Sequence, residues 1–246
     1  MKRSRITWLG HATVLLELDG VRLLTDPVLG RRVGPLMRVG GGAVEAAQLG
    51  PIDWVLLSHL HADHADLRSL LRLRAPVIAP SGAGDWLRSA GVSEVQELAA
   101  GSETAVGALQ LVATPAAHDA RRRPFGAQAE PIGFVVRGSR TVYFAGDTDL
   151  FDEMDDLRGT IDVALLPVWG WGPSVGEGHL DPRRAAQATA TIEPELAIPI
   201  HWGTFALPWA RGGDSDRRAR EFAEIVSAAA PGVQVRVLRP GESLDV

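Results

Sequence analysis

The chain has 246 residues, 46% of them hydrophobic and 22% charged, with a formal net charge of −5; this fits one large α/β domain with a sizeable core. The mildly acidic balance argues against nucleic acid as the main partner, because phosphate binding wants a basic face. The absence of cysteine excludes a disulfide framework, a thiolate metal ligand and a thiol nucleophile.

Residues 6–9 read as a short apolar strand, followed by a second over 12–18. Asp19-Gly20 is a two-residue hairpin signal leading into a strand over 21–25. Residues 30–50, rich in Gly and Arg around Gly40-Gly41-Gly42, read as a mobile loop, either a lid or a plain surface excursion. Residues 52–58 form a continuous apolar run, the pattern of a strand buried on both faces. A helix over 65–73, a short strand over 77–79, a helix capped by Ser81 and ending at Gly91, and a strand over 109–113 follow. After Pro131 a similar order begins again. Strands are predicted over 132–136, 141–145, 161–166 and 196–200, and a closing strand over 233–238. Helices are predicted over 182–192, with Asp181 as N-cap and Pro182 at its first position, and over 217–229. This order fits two sheets packed face to face and covered by helices. No apolar signal core follows the N-terminus and no apolar run reaches the length of a membrane span, so a cytoplasmic protein is expected.

The segment Ser58-His59-Leu60-His61-Ala62-Asp63-His64 lies between a buried strand and a helix. His59 and His61 are two apart, so in extended chain they point the same way. Three imidazoles and a carboxylate crowd one strand end, and a metal ion satisfies all four at once. Three more residues with suitable donors follow later strands: His118, Asp147 and His201. Five histidines and two aspartates suffice for two metal sites.

The segments Thr7-Trp8-Leu9-Gly10-His11, Leu24-Thr25-Asp26-Pro27, 58–64, 114–118, 144–147 and 199–203 resemble, in order, the successive motifs of the metallo-β-lactamase superfamily. Within it, Gly10-His11-Ala12-Thr13 and His179-Leu180-Asp181-Pro182 resemble the branch containing L-ascorbate-6-phosphate lactonase and N-acylphosphatidylethanolamine-hydrolysing phospholipase D. The resemblance implies an αββα sandwich of two mixed sheets flanked by helices, spanning residues 1–246 as one domain with halves of about 1–130 and 131–246. It implies one metal on His59, His61 and His118, a second on Asp63, His64 and His201, and Asp147 bridging them. Asp26 matches a position that orients the ligands from behind; a turn-initiating Asp before Pro27 is the alternative. Related diiron oxygen reductases usually carry Glu where this chain has His61, which argues against redox chemistry.

Two divalent ions about 3.5–4 Å apart can share a water and lower its pKa from 15.7 toward about 7, giving a bridging hydroxide that attacks carbon or phosphorus. Imidazole and carboxylate suit Zn²⁺, the expected metal, and also accommodate Mn²⁺ or Fe. The expected function is hydrolysis of a small-molecule ester, lactone or phosphodiester, with an anionic group. Asp63, His11 and His179 are the catalytic candidates, the imidazoles because they transfer protons near neutral pH. For His11 the alternative is a hydrogen-bonded structural role, and for His179 a surface loop. Arg121 and Arg122, in the run that follows His118, can recognise an anion; a solvated loop is the bland reading. Trp169 and Trp171 can wall an apolar pocket or pack in the core. A nuclease, a β-lactamase using the all-histidine variant, and a non-catalytic metal sensor are the rival functions, and self-association into a homo-oligomer stays open.

Overall fold

The computed structural model describes residues 4–119, 126–210 and 216–246. Two seven-stranded sheets form its centre. The first runs, edge to edge, Glu242–Asp245, Arg5–Gly10, Thr13–Leu18, Val21–Thr25, Trp54–Leu56, Val77–Pro80 and Val95–Leu98. The second runs Gln234–Val235, Leu196–Ile200, Val163–Pro167, Thr141–Phe144, Ile132–Arg137, Leu109–Pro115 and Glu103–Val106. Each sheet is antiparallel in one half and parallel in the other. The Asp19-Gly20 hairpin forms as expected, with both residues at positive φ, +50° and +86°, as a two-residue turn of this kind requires.

Alternation along the strands sorts side chains into two clusters. Leu56 and Ile78 point inward to the large core between the sheets, with Ile6, Trp8, Leu16, Phe134 and Phe144. Their neighbours Val55, Leu57, Val77 and Ala79 point outward, under the helices Leu67–Leu73 and Gly84–Ser89. The helices Pro182–Ile192 and Arg217–Ala229 bury Ala185, Ala188, Ile192, Phe222 and Val226 against the second sheet. The result is the αββα sandwich. Among the described residues no helix is long and apolar enough to cross a membrane.

Four expectations need correction. Ser81 does not cap the helix that follows. That helix starts at Gly84, and the amides of Gly82 and Gly84 donate to Glu97 Oε1 at 2.8 and 3.0 Å, from the neighbouring strand. The run 52–58 shrinks to the strand Trp54–Leu56, because Ser58 and His59 turn out of the sheet into the site. The closing strand over 233–238 is only Gln234–Val235. Residues 30–50 are not a loose loop. Leu36–Arg38 pairs with Arg32–Val33 on one side and Phe205–Ala206 on the other, in a third, three-stranded sheet over a small core of Val28, Val33, Leu36 and Phe205. Arg38 ties it down, donating to the carbonyls of Gly30, Leu9 and Val28 and lying over the Phe205 ring; burial lowers its pKa to about 10.

Candidate metal centre

The expected donors all follow the C-terminal ends of strands, so the two sheets deliver them to one edge of the sandwich. His11 follows Arg5–Gly10, Asp26 follows Val21–Thr25, and the 58–64 segment follows Trp54–Leu56. His118, Asp147 and His201 follow strands of the second sheet. Holding them there bends the backbone. His11, Asp26 and His201 sit at positive φ, +54°, +32° and +63°, where side-chain-bearing residues pay about 1–3 kcal/mol. Surrounding bonds enforce this. His11 N–H donates to Thr204 Oγ1 (2.7 Å), and its carbonyl accepts from Trp8 Nε1 (2.8 Å) and His201 N–H (2.9 Å). Gly146, before Asp147, has φ +63° and no room for a side chain, since a Cβ there would lie 2.6 Å from Ser58 Cβ.

Two donor groups result. Atoms of His59, His61 and His118 lie within 4.8 Å of one another, and so do atoms of His11, Asp63, His64 and His201. Asp147 reaches both. Its Oδ2 is 3.1 Å from His64 Nε2, its Oδ1 is 3.2 Å from His201 Nε2, and it also groups with His118 and His179.

The hydrogen bonds fix which nitrogens carry protons. Asp26 is fully buried and accepts three donors: Ser58 N–H on Oδ1 (2.7 Å), and Ser58 Oγ (2.5 Å) and His64 Nδ1 (2.7 Å) on Oδ2. Ser58 has spent its one proton on Asp26, so its oxygen accepts from His59 Nδ1–H at 2.9 Å. The lone pair of His59 is therefore on Nε2, a buried atom with no hydrogen-bond partner. His118 Nδ1–H donates to Gly178 O and His201 Nδ1–H to Trp169 O, each at 2.8 Å. Their Nε2 lone pairs face His61 Nδ1 (3.1 Å) and His64 Nε2 (3.0 Å). Each pair is spaced for an N–H···N hydrogen bond, and equally for two nitrogens turned toward one cation. Burial also keeps these imidazoles neutral. It lowers His118 to about 4 and His201 to about 3, and His59 goes well below its usual value. Burial pushes His64 down too, but the Asp147 and Asp26 carboxylates outweigh it and hold its pKa well above normal. The donor set fits divalent cations of imidazole and carboxylate preference.

A cavity of about 450 Å³ opens onto this edge, lined by His61, Asp63, Asp147, His179 and His201 and by the loop that carries Trp171 and Pro173. Of the two readings open for Trp171, pocket wall or core, its side chain lines this cavity and is 40% exposed. Trp169 does not line the cavity: its ring lies under the Arg218 guanidinium (3.6 Å), and its Nε1 donates to Gly172 O (3.0 Å). His11 is also off the wall, 1% exposed and packed on the His201 ring (3.8 Å between centroids), with its Nε2 3.0 Å from Asp63 Oδ2. The structure thus gives His11 a carboxylate to hold rather than a substrate to touch. His179 stands at the cavity edge. Its Nδ1 is 3.1 Å from Glu177 O and its Nε2 3.5 Å from Asp147 Oδ2, and the bond to Asp147 raises its pKa. Arg121 and Arg122 lie outside the described residues. Ser58 is a site residue that the motif alone does not single out; its position directly before the first histidine is the available signal.

The beta-lactamase superfamily domain matches residues 21–202, and the chain belongs to that superfamily, with the metallo-β-lactamase sandwich as its fold. A UPF0173 metal-dependent hydrolase of Methanopyrus kandleri is 34% identical over 98% of this chain and 99% of its own length. A Mycobacterium tuberculosis protein is 34% identical over 99% of this chain and 69% of its own. Among solved structures, Igni18, a metallo hydrolase from the archaeon Ignicoccus hospitalis, is 26% identical and covers 100% of this chain and 99% of its own, with a TM-score of 0.76.

Proposed function

We propose that the protein is a metal-dependent hydrolase that holds two divalent ions, most simply Zn²⁺, and cleaves a small ester, lactone or phosphodiester. The observation that carries this reading is Asp147, a buried carboxylate with one oxygen near each of two histidines and contact with both donor groups. His59, His61 and His118 would hold one ion, and Asp63, His64 and His201 the other. Bound divalent ions supply Lewis acidity and lower the pKa of water from 15.7 to about 7.

The chain's own side chains do the rest. Asp26 and Ser58 set the tautomers of His64 and His59. Carbonyls of the 169–178 loop set those of His201 and His118. His11 orients Asp63. His179, whose proton is favoured by Asp147, would give it to the departing oxygen. The cavity is of small-molecule size, and its described wall carries no arginine or lysine, which supports a compact substrate over a nucleic-acid strand. The motifs around His11 and His179 resemble the lactonase and phospholipase D branch, which supports the same bond classes.

Elemental analysis should find about two transition-metal ions per chain. Metal-loaded protein, assayed against lactones, phosphodiesters and the β-lactam nitrocefin, should turn over at least one of the first two. A protein that binds no metal, or works after its metal is stripped, would overturn the reading. Changing His179→Ala should lower turnover about 10²–10⁴-fold with metal content intact; loss of metal instead would make His179 a ligand.

A further inference from the structure

The loop from Trp169 to His179 touches both donor groups. Its carbonyls at Trp169 and Gly178 accept from His201 and His118, and its Trp171 indole Nε1 donates to Asp63 Oδ2 at 3.1 Å. That indole bond differs from the others in one respect. The same side chain is also a wall of the substrate cavity. Asp63 Oδ2 therefore takes two donors, His11 Nε2 from the buried side and Trp171 Nε1 from the cavity side. Together they fix the carboxylate plane, and Oδ1 keeps its remaining lone pairs for a cation.

We infer that Trp171 is a positioning residue for Asp63, and that through it the contents of the cavity and the ion held by Asp63, His64 and His201 influence each other's binding. A molecule lying against the indole shifts or steadies the ring, and the ring's N–H moves with it. By linkage, whatever factor a bound molecule applies to the affinity of this ion, the ion applies to the molecule. The proposal rests on the two-ion reading above, and its test separates the two.

The test is a Co²⁺ titration of metal-free protein, followed through the visible absorption of the bound ion, on wild type, Trp171→Phe and Trp171→Ala. Phenylalanine keeps a flat, smaller ring in the wall and removes the N–H donor. Since Trp171 is 40% exposed, both variants should fold, and circular dichroism checks this. Wild type should bind two ions. Trp171→Phe should weaken one of them about 10–100-fold, as loss of an orienting partner does, shift its absorption band, and leave the other unchanged. In steady-state assays on the substrate found above, Trp171→Phe should lower kcat more than it raises KM, and Trp171→Ala should also raise KM. Two ions bound by Trp171→Phe with wild-type affinities and spectra would overturn the positioning role while leaving the two-ion reading standing. No second ion in wild type would overturn both.

Discussion

Replacing His59 and His61 together by alanine removes the ion from the first donor group and takes turnover to background, a loss of about 10⁶-fold or more. The reason lies in the tautomer chain. His59 Nε2 is a buried lone pair with no protein partner, and His61 brings a ring nitrogen to within 3.1 Å of His118 Nε2. With both rings gone, this group is left with His118 and the shared Asp147 carboxylate, too few donors to hold a divalent ion against water. The fold should persist, because both residues lie beyond the strand Trp54–Leu56 and outside every described strand and helix. Metal analysis should give about one ion per chain, with an unchanged circular dichroism spectrum. Full activity in the double variant would sink the assignment of this group.

Asp26→Ala is expected to do more damage than its distance from the cavity indicates. Three donors converge on its two oxygens, and the pair it forms with His64 is wholly buried. Removing one partner of a buried pair costs about 3–5 kcal/mol, since the other is left without compensation. Urea denaturation should register that loss. Because Ser58 and His64 lose their orientation together, metal affinity should also fall about 10–100-fold. Asp26→Asn separates the two effects. It keeps the volume, but an amide has one accepting oxygen for three donors, so a donor must face its NH₂ group. Unchanged metal affinity in Asp26→Asn would mean that Asp26 serves the fold alone.

The sequence was legible where burial or punctuation is local. The helix Pro182–Ile192 was readable residue for residue because Asp181 caps it and Pro182 opens it, and the strand Leu196–Ile200 because it is apolar throughout. Within the two large sheets, the strands the sequence does not reveal, Val95–Leu98, Glu103–Val106 and Glu242–Asp245, are edge strands. Edges carry polar residues and lack the two-sided burial that makes a pattern. The cap that Glu97 gives to the helix Gly84–Ser89 comes from another strand and leaves no mark near Ser81. The donors were legible because imidazoles and carboxylates crowd strand ends. Their orientation was not, since it depends on Ser58 and on carbonyls at Trp169 and Gly178, and a carbonyl has no letter of its own. Trp169 and Trp171 look equivalent in sequence, yet one faces Arg218 and the other Asp63.

Asp26 touches His64 directly and His59 through the Ser58 hydroxyl, so one carboxylate stands behind both donor groups. Any change there alters the basicity of an imidazole in each. If each group holds an ion as proposed, mutation at this point cannot retune the preference of one cation position and spare the other. A lineage that came to favour a different metal would have to shift both positions in step, or do so through the outward-facing residues.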